Sequence, residues 1–343
     1  WNSSENSLEF GGFGLLPYAK HSSLLSSVSR AAAADGLAVT LRVQALEHKN
    51  NAEIAGQYAL GPEYAVMPDL ADISLFRNPH RFGLDSPDAM APIQVGDLIS
   101  YAVGCMFGRY SLDEPGLILA DHGSALQDYL AKVPNPSFMP DKDNVIPIVD
   151  GDWFEDDIVA KFRQFLRAAF GEQHFAENLK FVTDSLGVKD LREYFIRTGT
   201  KSATSKFYDD HVSRYKKRPI YWLFSSPKGS FNALVYLHRY NPSTVSTVLN
   251  DYLREFIKKL EAELTKQEHI VASGAGAREV AAAQKEADRI RKVLIELDDY
   301  ERELYNLASQ QIPLDLDDGV LVNYQKFGTA LKDIGLKKGG ADD

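Results

Sequence analysis

The chain has 343 residues, 44% hydrophobic and 25% charged, with 48 acids against 38 Lys and Arg and a formal net charge of −10. It can bury one large core or two to three modest ones, and its single cysteine, Cys105, excludes a disulfide framework and a thiolate zinc site. Apolar stretches such as 99–107 are too short to span a bilayer, so no membrane partner is expected, and the cysteine usage points to a reducing cytoplasm.

The chain opens Trp1-Asn2-Ser3 without an initiator Met, and its first hundred residues hold no recognisable domain start, so a piece of something longer is expected. Residues 1–30 read as a Ser-, Gly- and Asn-rich loop, and 31–58 as a helix through Leu37, Leu41, Leu46, Ile54 and Tyr58. The proline-rich stretch 61–92 reads as an extended connector. A compact apolar helix from Val95 to about Arg109 follows, then loops and a short strand over 145–149. Residues 152–170 form an amphipathic helix with Asp152, Glu155, Asp156 and Asp157 in its first turns and Ile158, Phe162, Phe165, Leu166 and Phe170 as the buried stripe. Further helices are expected over 175–186 and 188–197, a strand over 219–224, and another apolar element over 231–240.

From Val245 to Leu264 the apolar residues keep a rhythm that only a helix satisfies, and 277–308 supplies its partner across the breaker 271–276. The two form a long antiparallel hairpin, and 312–324, with Asp318-Gly319 at its turn, reads as a β-hairpin. The fold class expected is helix-rich α+β: a mixed globular body, a long antiparallel helical hairpin and a short C-terminal β-hairpin. The corresponding divisions are 1–94 (connector and helical linker), 95–242 (mixed recognition body), 243–311 (helical hairpin) and 312–343 (β-hairpin and tail).

Two fragments resemble parts of a DNA methyltransferase site. Phe10-Gly11-Gly12-Phe13-Gly14 fits the glycine pattern of a methyl-donor loop, but no buried strand precedes it. Asn135-Pro136-Ser137-Phe138 carries Ser137 where an adenine-gripping motif has its second proline. Neither is expected to be catalytic. The acids between Asp150 and Asp157 suit a solvated helix start better than a metal site. The sequence around Asp315 and Gly319 lacks the closing Glu of a calcium loop, with Lys326 in its place.

Residues 211–250 contain no Asp or Glu, although they carry Arg214, Lys216, Lys217, Arg218, Lys228 and Arg239. Cations interleaved with Tyr215, Tyr221, Trp222, Phe224, Phe231, Tyr236 and Tyr240 suit a polyanion with stackable bases. Tyr221, Trp222 and Phe224 lie in an apolar run and read as core, whereas Lys216, Lys217 and Arg218 stand just before Pro219 as phosphate contacts. The loop 225–230 offers Lys228 and small residues whose amides can cradle a phosphate. Lys201 and Lys206 form a second basic arm. The DNA-binding candidates are therefore Lys201, Lys206, Arg214, Lys216, Lys217, Arg218, Lys228, Arg239 and Tyr240.

Several long blocks carry a family resemblance: ISYAVGCMFGRYSLDEPGL, VIPIVDGDWFEDDIVAKFRQFLRAAFG, YKKRPIYWLFSSPKGSFNALVYLHRY, VLNDYLREFIKKLE and DLDDGVLVNYQKFGTALK. They resemble the C-terminal region of PglX, the adenine-specific DNA methyltransferase family of type 1 BREX phage-defence systems, over roughly residues 97–334. The resemblance implies an enzyme that methylates one adenine of an asymmetric site with S-adenosylmethionine and also acts as the specificity factor of the defence complex. The family's catalytic and cofactor motifs have no counterpart here, so no cofactor is expected in this fragment and S-adenosylmethionine belongs to the full-length enzyme. Expected partners are double-stranded DNA, other BREX proteins and phage DNA-mimic inhibitors. Two alternatives stand beside this reading: a protein-interaction module docking other BREX components through the hairpin, and a complete small methyltransferase.

Overall fold

A computed structural model describes residues 5–335 apart from 8, 85, 199–202 and 274–275. The apolar runs of the acid-free window become the middle and one edge of a three-stranded antiparallel sheet. Strands β1 (Val145–Pro147), β2 (Tyr221–Ser225) and β3 (Asn232–Tyr236) lie in the order β1-β3-β2, with Trp222 opposite Val235 and Ile146 opposite Leu234. Every residue of the three strands is buried, which is why their sequences are apolar throughout and do not alternate. The outer edge of β2 is covered in turn by 331–332: Phe224 bridges Leu331, and the Lys332 amide donates to the Leu223 carbonyl at 2.8 Å.

Helices surround this sheet: α1 (Leu16–Ala19), α2 (Leu25–Gln57), α3 (Ala91–Met106), α4 (Leu126–Lys132), α5 (Ile158–Phe170), α6 (Phe175–Leu186), α7 (Leu191–Phe195) and α8 (Lys206–Arg214). All of α3 from Leu98 onward is buried, as expected of a helix apolar on every face. The start of α5 differs from the sequence expectation. Asp157 is its cap, accepting from the Ala160 amide at 2.7 Å, so Asp152, Glu155 and Asp156 precede the helix. Arg192 pairs with both Asp152 and Asp157 and absorbs part of that acidic cluster.

Residues 61–92 are not extended. They fold into four short 3-10 turns, Pro62–Tyr64, Leu70–Asp72, Pro79–Phe82 and Pro87–Met90, that pack on α2. Local chemistry explains the difference. Proline presets the first φ of three turns, and Asp69, Asn78 and Ser86 cap the amides of Ala71, His80 and Ala89.

The expected helical hairpin is present. One arm runs through α9 (Thr244–Thr247), a π-helical stretch Val248–Leu253 and α10 (Arg254–Ala272); the other is α11 (Ala277–Gln310). Its base joins the body core, where Phe231 meets Phe256 at 6.0 Å and Tyr300 at 6.4 Å between ring centroids. Beyond Leu260, α10 buries no further residue, while α11 still buries Ala283, Ala287 and Ile290.

The C-terminal β-hairpin is replaced by a 3-10 turn (Leu316–Asp318), helix α12 (Val320–Gln325) and a second 3-10 turn (Gly328–Ala330). Asp315 caps the Asp317 amide, and the Asn323 side chain donates to the Asp315 and Gly319 carbonyls, tying the turn into a helix. Tyr324 and Phe327, three apart, then share one face and meet Trp222 edge-on at 5.3 and 5.6 Å. A single hydrophobic cluster runs from Phe10 to Ile334.

Candidate nucleic-acid interface

Helix α8 starts at its cap Ser205, whose Oγ accepts from the Tyr208 amide at 3.1 Å, and buries Phe207, Tyr208 and His211. Lys206 is exposed, its Nζ 5.9 Å from the Tyr194 ring centre. After Arg214 the chain reverses through Lys216 and Lys217, both in left-handed backbone at φ +50° and +63°. The Lys217 amide donates to the Val212 carbonyl at 2.8 Å, closing the helix end, and Pro219 leads into β2. This reversal leaves the side chains of Lys216, Lys217 and Arg218 exposed.

His211 anchors that reversal from inside. Its Nε2 accepts from the Tyr221 amide at 3.1 Å, so the ring is neutral with its proton on Nδ1. Burial, then the charges of Arg214 and Arg109, push its pKa down to about 3.

Three sequence-based candidates are withdrawn from the surface. Arg214 pairs with Glu5 at 3.0 Å and with Asp97 at 2.8 Å, and Asp97 also binds Arg77. Arg239 is 6% exposed and donates to the carbonyls of Phe107, Asp141 and Lys142, closing the end of α3. Tyr240 is 2% exposed and donates to the Ile312 carbonyl at 2.9 Å. These groups already spend their hydrogen bonds inside the chain, so they frame the surface and do not reach a phosphate. Tyr221, Trp222 and Phe224 are core, as their apolar run implies.

The loop between β2 and β3 does form an anion cradle, but its anion comes from the hairpin. Glu296 of α11 accepts from the Ser226 hydroxyl at 2.6 Å, the Lys228 amide at 2.7 Å and the Ser230 hydroxyl at 2.5 Å. Gly229 completes the turn at φ +72°, where an added Cβ would come within 2.8 Å of the Ala203 Cβ. The Lys228 side chain remains exposed beside the cradle.

One residue outside the sequence-based set belongs with these cations. Lys332 lies on the outer edge of β2, its Nζ 3.4 Å from the Ala203 carbonyl, while the Ala203 amide donates to the Lys228 carbonyl at 2.7 Å. Lys217 Nζ reaches the Gly335 carbonyl at 3.4 Å. The edge of β2 is thus a basic ridge from Lys216–Arg218 through Lys332 to Lys228. From Pro219 to Pro227 it extends roughly 25 Å at about 3.3 Å per residue. Asp209, Asp210 and Asp333 are exposed acids on the neighbouring segments. Burial raises the pKa of Asp209 against the lowering effect of Lys332, which places that lysine next to α8. Lys201 lies outside the described residues.

The methyltransferase-like fragments serve as packing. Phe13 stacks on Tyr101 at 5.1 Å, and Phe10 lies 4.7 Å from Tyr110. Ser137 is bound through its amide and hydroxyl to Asp113, and Phe138 meets Phe165 edge-on at 5.7 Å.

No family model matches the chain. It is 38% identical over 255 residues, 73% of its length, to the adenine-specific methyltransferase BrxX of Escherichia coli O9:H4 (strain HS). It is 36% identical over 289 residues, 83% of its length, to the adenine-specific methyltransferase PglX of Lacticaseibacillus casei (strain Zhang). These matches cover 21% and 22% of those proteins, so the chain spans about a fifth of the length of the curated relatives it matches. Over most of its residues, then, the homologues of this chain are adenine-specific methyltransferases.

Proposed function

We propose that this chain is the DNA-gripping and target-recognition region, C-terminal to the catalytic part, of an S-adenosylmethionine-dependent adenine DNA methyltransferase serving a type 1 BREX phage-defence system. The observation that carries the reading is the ridge of Lys216, Lys217, Arg218, Lys332 and Lys228 along the outer edge of β2, with Lys206 exposed at the start of α8, in a chain of net charge −10. A local positive strip on an acidic body attracts a polyanion only where the strip meets it, and backbone phosphates are such a target. Adenine-specific homologues supply the substrate class, and the methyl donor would be bound by the portion of the relatives that this chain does not match. A phage protein that mimics DNA would compete for the same ridge.

The test is fluorescence anisotropy with a labelled duplex at low salt. The chain is expected to bind, and K216E/K217E/R218E to weaken binding at least tenfold while the variant still unfolds cooperatively with an unchanged far-UV circular dichroism spectrum. Absence of duplex binding at low salt would sink the proposal.

A second reading, docking of other BREX components by the hairpin, is favoured by Ile295 and Tyr305, which stand 70% and 58% exposed on α11. Removing the whole hairpin would not test it, because Phe256, Tyr300 and Leu304 belong to the common core. Exchanging Ile295 and Tyr305 for Asp does test it: partner pull-down should be lost with duplex binding intact.

A further inference from the structure

Ten of the fourteen exposed large apolar side chains among the described residues fall between 41 and 82, led by Tyr58 at 73%, Leu46 at 66%, Val66 at 61% and Tyr64 at 58% exposure. The fold explains how they gather. The first half of α2 buries Leu25, Val28 and Ala33 against the body, but from residue 41 to its end only Ala55 is buried. A helix of 33 residues is about 50 Å long, so its distal half extends beyond the elements that cover its start. The 3-10 turns of 61–82 pack back on α2, the Gln44 side chain donating to the Pro68 carbonyl at 2.8 Å. Together they form a lobe on whose surface these apolar side chains stand exposed among scattered charges. It contains a groove of about 400 Å³ lined by Leu75, Phe76 and Phe82 with Arg77 and Arg81 at its rim.

Residues 41–82 carry four Lys or Arg and five acids, close to neutrality in a chain of −10. A nearly neutral surface rich in Tyr, Phe and Met has the composition of the centre of a protein interface and lacks the net positive charge that a nucleic acid requires. Scattered apolar residues would need no explanation; concentration of most of them in one lobe does.

We infer that this lobe docks onto the methyltransferase part of the same polypeptide, the four fifths of the curated relatives' length that this chain does not match. The inference rests on the proposed function. The matches cover only 21% and 22% of the relatives, and in a protein of that length, as the proposed function requires, a large protein surface would be tethered to the lobe at high effective concentration. The lobe would thereby fix the orientation of the basic ridge relative to the reacting centre.

The experiment compares backbone hydrogen exchange over 41–82 in this chain alone and in the full-length polypeptide, with light scattering of the chain alone. Docking predicts exchange at least tenfold slower in the full-length protein, and L46D/Y64D should return it to the rate of the isolated chain. Both side chains are exposed, so the isolated variant should melt at the unchanged temperature. Equal exchange in the two proteins overturns the inference. So does a dimer of the isolated chain that L46D/Y64D dissociates, since a second copy then covers the lobe. Duplex binding is scored in parallel: protection without DNA binding refutes the recognition reading and leaves the docking surface standing, and DNA binding without protection does the reverse.

Discussion

His211 is a buried histidine inside the acid-free window. A histidine in a basic, acid-free stretch suggests surface charge, yet here it is 2% exposed and neutral, holding the Tyr221 amide at the start of β2. Its folded pKa of about 3 lies below the ordinary histidine value of 6.5. The unfolded chain therefore binds a proton between those values that the folded chain refuses, so this stabilisation is complete above pH 6.5 and is lost as pH falls toward 3. Its slope is about 1.4 kcal/mol per pH unit. Urea unfolding at several pH values should show His211→Gln flattening the dependence by about one proton. Arg239 is the companion case. Arg239→Met leaves the carbonyls of Phe107, Asp141 and Lys142 without their donor, and should cost about 3 kcal/mol in chemical denaturation. Burial raises the Cys105 thiol well above its usual range, so a thiol reagent should label it only at the rate of unfolding.

At the scale of elements, the contact between Glu296 and the 226–230 loop joins the hairpin to the sheet. Glu296→Ala strips three donors of their acceptor and should lower stability by about 2–4 kcal/mol; Glu296→Gln retains an acceptor and should cost less. Denaturant midpoints of the two variants check the order. Reversal of that order would show that packing, not the cradle, holds the hairpin. The hairpin itself was legible because Val248, Leu249, Tyr252, Leu253, Phe256 and Leu260 repeat with helical spacing and face one core. Residues 312–324 misled for an equally specific reason. An Asp-Gly pair between apolar residues is a hairpin signal, but Asp315 and Asn323 close local bonds that favour turn and helix.

For the whole molecule, the governing number is the net charge of −10 set against a local ridge of cations. Duplex binding through the five cations of the ridge should fall steeply with salt, the logarithmic slope being about 0.9 per phosphate contact. Titrating salt should show K216E/K217E/R218E reducing that slope by roughly two to three. An equal slope in both proteins would move the interface elsewhere. The same scale governs which candidate cations remain available. Arg214, Arg239 and Lys216 look alike in sequence, yet the first faces Glu5 and Asp97, the second three carbonyls, and the third solvent.

The sequence by itself determined the helix-rich α+β class, the first strand of the window, the long hairpin and the core role of Tyr221, Trp222 and Phe224, because apolar periodicity and composition are local properties; that the apolar element over 231–240 is a second strand was settled by its pairing. It also carried the resemblance to adenine-specific methyltransferases. Tertiary structure decided which charges meet solvent, since burial and pairing depend on partners far along the chain: Glu5 lies 209 residues from Arg214, and Asp141 lies 98 from Arg239. It likewise brought Lys332 to the edge of β2 and Glu296 into the loop that sequence had offered to a phosphate. Long-range pairing of this kind leaves no periodic trace in either partner, so only the folded chain reveals it.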